Sequence, residues 1–367
     1  MSEAGGGPGD GRNVDPRLGW LEGEGADQRV PGDRSGGEGA VPFDVWPGLP
    51  SGTGVAVDPT YYDRPVLKEP VWKWYIPAYF ACGGAAGAAA ALGAVAQLRD
   101  RTGLSGLIRR SRWIAATGGA VGTFLLMTDL GRPARFLNML RVFRPSSPMN
   151  VGSWILSIEA PLAAGSALLS KPGGVTGPLG DAAGLGAGVM GLPMTGYTAV
   201  LLANTAVPLW QQTRRALPPL FVASAVWSAA SLLQLMDLSE EEERIVRRFA
   251  LAGAAGDLVA EHAVHRVAAE VERVARPLHE GRSGAMLKAA KVCTAGSLVV
   301  NLLPGRSRGK RALAGVLGTV GAAAVKFGIV EAGTASARDP RATFHHQRSG
   351  LGGAEVAGHP AVTAPPA

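Results

Sequence analysis

The chain has 367 residues, a formal net charge of +7 and a mean hydropathy of +0.14, values that on length alone would suit two soluble domains. Its two cysteines, Cys82 and Cys293, lie far apart, which excludes a disulfide framework, a cysteine-ligated zinc site and an iron–sulfur cluster held by this chain alone.

The averages hide two chains. Residues 1–70 contain 15 Gly, 9 Pro, 6 basic and 12 acidic side chains, a net of −6, and read as a disordered acidic tail that cannot bury a core. The other 297 residues carry 30 basic and 17 acidic side chains, a net of +13, on an Ala/Leu/Gly/Val-rich body. The tail lacks the apolar core of a cleavable signal, so the amino terminus is expected to stay inside the cell.

Residues 71–336 read as a transmembrane helical bundle, because a helix needs roughly 20 apolar residues to cross about 30 Å of hydrocarbon. Trp74–Leu98, Trp113–Leu130, Val151–Leu169, Ala182–Ala203 and Leu217–Met236 meet that length with few internal charges. Phe249–Val264 is interrupted by Asp257, Glu261 and His262, while Ala285–Leu303 and Ala312–Ala332 are long enough but carry Lys288, Lys291, Lys326 and Glu331. Together they predict an all-α, polytopic bundle of about eight spans. The alternative for the last three is amphipathic helices on the membrane surface. Residues 337–367, with Pro360, Pro365 and Pro366, read as a second flexible tail.

A soluble helical bundle would need polar faces recurring every 3.6 residues. Ala81–Val95 has no charged or strongly polar side chain at all. The pairs Gly83/Gly87, Gly118/Gly122 and Gly184/Gly188 put small residues one turn apart, compatible with close helix packing in lipid. Trp72, Trp74, Tyr75, Trp113, Trp154 and Trp210 fall near span ends, where amphipathic rings favour the headgroup region. Arg99, Arg101, Arg109, Arg110 and Arg112 fall in the first loop, opposite the tail, so the positive-inside rule supports the orientation only weakly.

Charges inside spans are expensive in a bilayer and are functional candidates by default. Glu159 is the ninth residue of a 19-residue apolar span; it is either a proton relay or a neutral packing acid. Asp129 and Arg132, in Asp-Leu-Gly-Arg-Pro at the end of the second span, form either a helix-end anchor or a polar wall able to hydrogen-bond a quinone ring. Asp257, Glu261 and His265 recur at i, i+4 and i+8 on one helical face. That face either conducts protons or is solvated, and local hydropathy favours the solvated reading. Lys326 and Glu331 read as snorkelling to the interface. The first five spans contain no His, so a bis-histidine haem is not expected.

Several segments together resemble the NrfD/PsrC family of membrane subunits (polysulfide reductase and formate-dependent nitrite reductase type). They are Tyr61-Tyr62-Asp63-Arg64-Pro65; Trp72-Lys73-Trp74-Tyr75-Ile76-Pro77-Ala78-Tyr79-Phe80 running into Gly83-Gly84; Asp129-Leu130-Gly131-Arg132-Pro133 with Arg135-Phe136; and Ser146-Ser147-Pro148-Met149 before Gly152-Ser153-Trp154. The match covers Tyr61 to Tyr197, and the rest only through the span count. The resemblance implies an eight-span, haem-free subunit of the inner membrane. It would anchor a four-cluster ferredoxin-like iron–sulfur subunit, with a molybdopterin catalytic subunit beyond, and exchange electrons with menaquinone or ubiquinone as in anaerobic respiration. Membrane lipid is the other expected partner; nucleic acid is not one. On that reading Tyr79, Asp129, Arg132, Tyr197 and Asn204 are the quinone-binding candidates, and Glu159, Asp257 and Glu261 the proton relay. A passive anchor without a quinone site and a proton or ion translocator are the competing readings.

Overall fold

The computed structural model describes residues 13–15, 20–22, 67–130, 134–170, 176–305 and 307–345. In the unit Met1–Asp58, β1 (Asn13–Asp15) and β2 (Trp20–Glu22) pair antiparallel with Val14 opposite Leu21, a hairpin the sequence reading had not assigned. The unit Pro59–Ala367 is helical, and contains α1 (Tyr75–Arg99), α2 (Ser105–Asp129), α3 (Ala134–Met139), α4 (Pro148–Leu169), α5 (Gly177–Ala203) and α6 (Pro208–Gln212). It continues with α7 (Leu217–Gln234), α8 (Glu240–Ala268), α9 (Glu272–His279), α10 (Gly281–Leu302), α11 (Arg308–Ala337) and α12 (Pro340–Thr343). Tyr61–Pro65, Gly131, Arg132 and Pro133 lie outside the described residues.

Helix starts follow local chemistry. Pro148 opens α4 behind Ser147, whose hydroxyl accepts the Asn150 N–H. At α8, Ser239 Oγ accepts the Glu242 N–H while Glu242 Oε2 accepts the Ser239 N–H at 2.8 Å, a reciprocal capping box. Ser307 caps α11 through the Lys310 N–H.

The eight long helices stand where the apolar runs predict them. Six, α1, α4, α5, α7, α10 and α11, are long and apolar enough to cross a membrane. The expectation of about eight spans therefore divides: α2 and α8 have the length but not that apolarity. α2 carries Arg109, Arg110 and Arg112 near its start, and α8 opens with four glutamates and holds Asp257 and Glu261. The predicted start of the second span at Trp113 was eight residues late, because Ser105–Arg112 is helical rather than loop. Lipid-facing positions are evident on α5, α10 and α11, where Val189, Leu192, Val292, Val299, Val316 and Val320 are all exposed.

The helices pack as two groups, α1/α2/α4/α5 and α7/α8/α10/α11, joined where α1 meets α7 and α11 and where α5 meets α7. Within the first group the backbones approach closely: a Cβ on Gly87 would sit 2.5 Å from the Gly191 carbonyl oxygen, so only glycine permits this α1–α5 contact. Arg112, 6% exposed, ties the far end of the same group together. Its guanidinium donates to Gln97 Oε1 at 2.8 Å, Asp181 Oδ1 at 2.9 Å and Ser170 Oγ, reaching α1, α5 and the end of α4. Arg110 pairs with Glu242 at 3.0 Å across α2 and α8. Two arginines read as loop charges are thus structural ties.

Trp210 departs from its expected interfacial role. It is fully buried, stacks on Trp72 at 5.4 Å and donates its Nε1–H to the Ile329 carbonyl at 3.0 Å. α6 carries this ring into the bundle, where it satisfies a polar tip that lipid would leave unpaired.

Candidate functional site

Chain alternation puts the start of α1, the end of α2, the start of α4 and the end of α5 on one face. Tyr79 lies one turn into α1, fully buried, on the side that meets α2 and α5. A Cβ on Gly122 would lie 3.3 Å from its ring, so α2 makes room for it with a glycine. One turn earlier on α2, a Cβ on Gly119 would lie 3.3 Å from Glu159 Oε2. Gly119 and Gly122 therefore share a face of α2 that receives Tyr79 from α1 and Glu159 from α4. Glu159 is close enough to act electrostatically on the Tyr79 phenol.

The polar atoms of this cluster lack partners. Tyr79 Oη, both carboxyl oxygens of Glu159 and Trp154 Nε1 are buried without a hydrogen bond. Leaving such a group unpaired costs about 1–3 kcal/mol, and a hydrogen-bonding guest or a water can satisfy the three that lie beside Gly119 and Gly122. Trp154 was quoted in the sequence only as motif and span-end ring. Its spacing from Glu159, five residues on one helix, carried no signal of a shared site. Its ring also packs edge-on against Phe143, centroids 6.0 Å apart.

The other candidates are placed differently. The Tyr197 ring covers Gly152, so it lines the α4–α5 contact on the same face of the bundle. Asp129 closes α2, half-buried, with Lys73 as its charged neighbour. Arg132 lies outside the described residues. Asn204 is exposed beyond the end of α5 and donates its side-chain amide to the Val200 carbonyl at 2.8 Å, in the last turn of that helix. Among the described contacts nothing brings it to Tyr79 or Glu159.

A second polar cluster sits between α7, α8, α10 and α11. Asp257 has no solvent exposure and Glu261 only 5%, so the face they share turns into the bundle and the solvated reading does not hold. Asp257 Oδ2 accepts a hydrogen bond from Thr294 Oγ1 at 3.3 Å, while Oδ1 has no partner. Lys326 does not snorkel. It is 2% exposed, its ammonium donates to the Phe221 carbonyl at 3.1 Å and lies 3.6 Å from the centre of the Phe221 ring, with Asp257 as its opposing charge. The Lys326 side chain is buried against Phe221 of α7, which keeps its ammonium from water. Nearer the surface, His265 Nε2 stands 3.6 Å from Glu261 Oε1 and its ring centre 4.9 Å from that of His279.

Among the described residues no group of three or more His, Cys, Asp or Glu is placed to hold a metal ion, and both cysteines are free thiols.

Apolar helices of spanning length, aliphatic side chains turned outward and charges kept inside define a multi-pass integral membrane protein. More specifically, the chain belongs to the NrfD-type polysulfide reductase family, whose model (NrfD_2, polysulfide reductase) matches residues 60–338. The match includes α7, α8, α10 and α11, well past Tyr197 where the motif resemblance ended. No curated protein matches the chain.

Proposed function

We propose that this chain is the quinone-exchanging membrane subunit of a polysulfide-reductase-type respiratory complex of the inner membrane, with its amino terminus on the cytoplasmic side. It anchors a four-cluster iron–sulfur subunit, and through it a molybdopterin catalytic subunit. One observation carries the quinone reading: Tyr79 and Glu159 meet on one face of α2 with their polar atoms buried and unpartnered.

A quinone head group fits that donor set. Its two carbonyl oxygens need hydrogen-bond donors, and the Tyr79 hydroxyl and the Glu159 carboxyl, when it carries a proton, are available donors. Bound, menaquinone or ubiquinone would supply two-electron, two-proton chemistry. The chain's own residues orient the head group and hold or pass a proton at the Glu159 carboxyl, which is shielded from bulk water by α2 and α5. Tyr197 and Asp129 lie toward the same face, where a proton can leave. Cys82 and Cys293 are too few for a four-cysteine cluster, so the electrons pass to a partner's centre.

A passive anchor would have no use for the three unpaired polar atoms of Tyr79 and Glu159 in its interior, and a bundle of that kind is more stable with apolar residues there. The two readings separate by photolabelling. With an azidoquinone in membranes holding the intact complex, we expect adducts on α1 and α4 peptides containing Tyr79 and Trp154–Glu159, competed away by excess quinone. Labelling confined to other helices, or unaffected by competitor, refutes the assignment.

A further inference from the structure

The Asp257–Lys326 cluster belongs to other helices than Tyr79 and Glu159, and the reading above makes no use of it. Its geometry is a line of titratable groups running inward from one face. His279 is exposed at the end of α9, flanked by Glu280 and by Lys288 and Lys291 of α10. Its ring centre is 4.9 Å from that of His265, and His265 Nε2 is 3.6 Å from Glu261 Oε1. Glu261 and Asp257 are one turn apart on α8, about 6 Å along the axis. Asp257 then faces Thr294 of α10 and Lys326 of α11, and Lys326 is held by the Phe221 carbonyl of α7. Two buried atoms on this line, His265 Nδ1 and Asp257 Oδ1, have no partner.

Past Lys326 the character changes. Toward the other face the buried polar groups are neutral, and their donors are spent. Trp227 Nε1 donates to Ser297 Oγ at 3.4 Å, and Ser297 Oγ to the Ala314 carbonyl at 3.0 Å. Asn301 donates to the Ser297 carbonyl at 2.9 Å, and Gln234 donates to Asn301 Oδ1 at 2.5 Å. The next charged groups, Glu242, Glu243, Arg247 and Arg311, lie at the far end; Glu242 is paired with Arg110, and Arg247 and Arg311 are themselves bonded to the Asn301 and Gln234 carbonyls.

We propose that α8 and Lys326 form a proton half-channel that opens at His279 and His265, on the face where α1 begins, and ends at the Asp257–Lys326 pair. A proton taken up by His265 passes to the Glu261 carboxylate and from there to Asp257, each donor losing the proton its acceptor gains. The Lys326 ammonium opposite Asp257 keeps the unloaded carboxylate tolerable in the bundle interior. Beyond the pair, a layer of neutral hydrogen bonds, with the Cys293 thiol beside it, offers no carboxylate or imidazole among the described residues to continue the line, so loading and unloading occur from one side. The site does not rest on the quinone reading, since none of its residues belongs to the Tyr79–Glu159 cluster.

The test uses the unsubstituted full-length chain in sealed native membrane vesicles of both orientations, their amino-terminal face identified by protease clipping of the tail. Dicyclohexylcarbodiimide, a lipid-soluble reagent that attaches to protonated carboxyls, is added while only one bath is acidified. Peptide mass spectrometry then locates the adduct. We expect it on Asp257 or Glu261, forming at least fivefold faster when the bath on the amino-terminal face is acidified and unchanged when the opposite bath is. In His265→Gln the same carboxyl is labelled, but the acceleration falls below twofold. Several labelled carboxyls responding to both baths would identify an unfolded variant, and the sidedness of the unsubstituted chain then decides alone. Adducts at Glu159 but not at Asp257 or Glu261, no adduct, acceleration from the opposite bath, or an undiminished response in a folded His265→Gln chain each overturn the proposal.

Discussion

Glu159 and Asp257 are both carboxylic side chains with no solvent exposure, yet their surroundings differ in kind. Glu159 has no hydrogen-bond partner, and the nearby Tyr79 hydroxyl has none either. Asp257 is embedded in an organised set, with Thr294 bonded to one oxygen, Lys326 opposite and Glu261 one turn away. The first helix group holds polar atoms with no protein partner, and the second holds charges that largely answer one another. Unsatisfied buried groups point to ligand binding; a graded series of acid, imidazole and amine points to proton movement.

The largest expected effect breaks the first half. Glu159→Gln keeps size but cannot release a proton, and quinone-linked turnover of the purified complex should fall by about 10²–10⁴-fold; unchanged turnover would remove Glu159 from the relay. Next comes the second half. Lys326→Met removes the ammonium–carbonyl hydrogen bond to Phe221 and the charge opposite Asp257, and should destabilise the bundle by about 2–3 kcal/mol. Adding Asp257→Asn should restore part of that, which thermal unfolding in detergent of the single and double variants would reveal. Arg112→Ala removes hydrogen bonds that join α1, α4 and α5 to α2, and should cost about 2–3 kcal/mol. A cost below about 0.5 kcal/mol would show that the arginine tie is dispensable.

The smallest effect concerns pH. Partial burial, then the charges of His265, Lys288 and Lys291, hold the His279 imidazole below its ordinary value of 6.5. The unfolded chain therefore binds more protons than the folded one between the two values. Stability from this group is complete above pH 6.5 and is lost as the pH falls through that window. His279→Gln should flatten the dependence of unfolding temperature on pH there, and an unaltered slope would assign it elsewhere.

The sequence made the helices legible because apolar runs of spanning length have few other uses, and all eight long helices occur where those runs predict them. Depth and direction were less legible. Lys326 reads as a snorkelling lysine because hydropathy registers its charge and not its neighbours; only α7 and α11 packed together place the Phe221 carbonyl under its ammonium. Arg112 reads as a loop charge because three arginines interrupt the apolar run, although Gln97, Ser170 and Asp181 supply acceptors from distant positions. Asp257, Glu261 and His265 show their common face through spacing alone, but whether that face meets water depends on α7 and α10 packed against α8. Trp154 stayed invisible as a site residue because an unpaired indole N–H is a property of its surroundings.

The central claim is that the Tyr79–Glu159 cluster is where quinone exchanges electrons and protons with the complex. The most direct measurement is the rate at which quinol reduces the partner's iron–sulfur centre, followed by stopped-flow absorbance in the intact complex. The account predicts that Tyr79→Phe and Glu159→Gln each slow that reduction at least tenfold while the complex remains assembled. Reduction at the unsubstituted rate in both variants would contradict it.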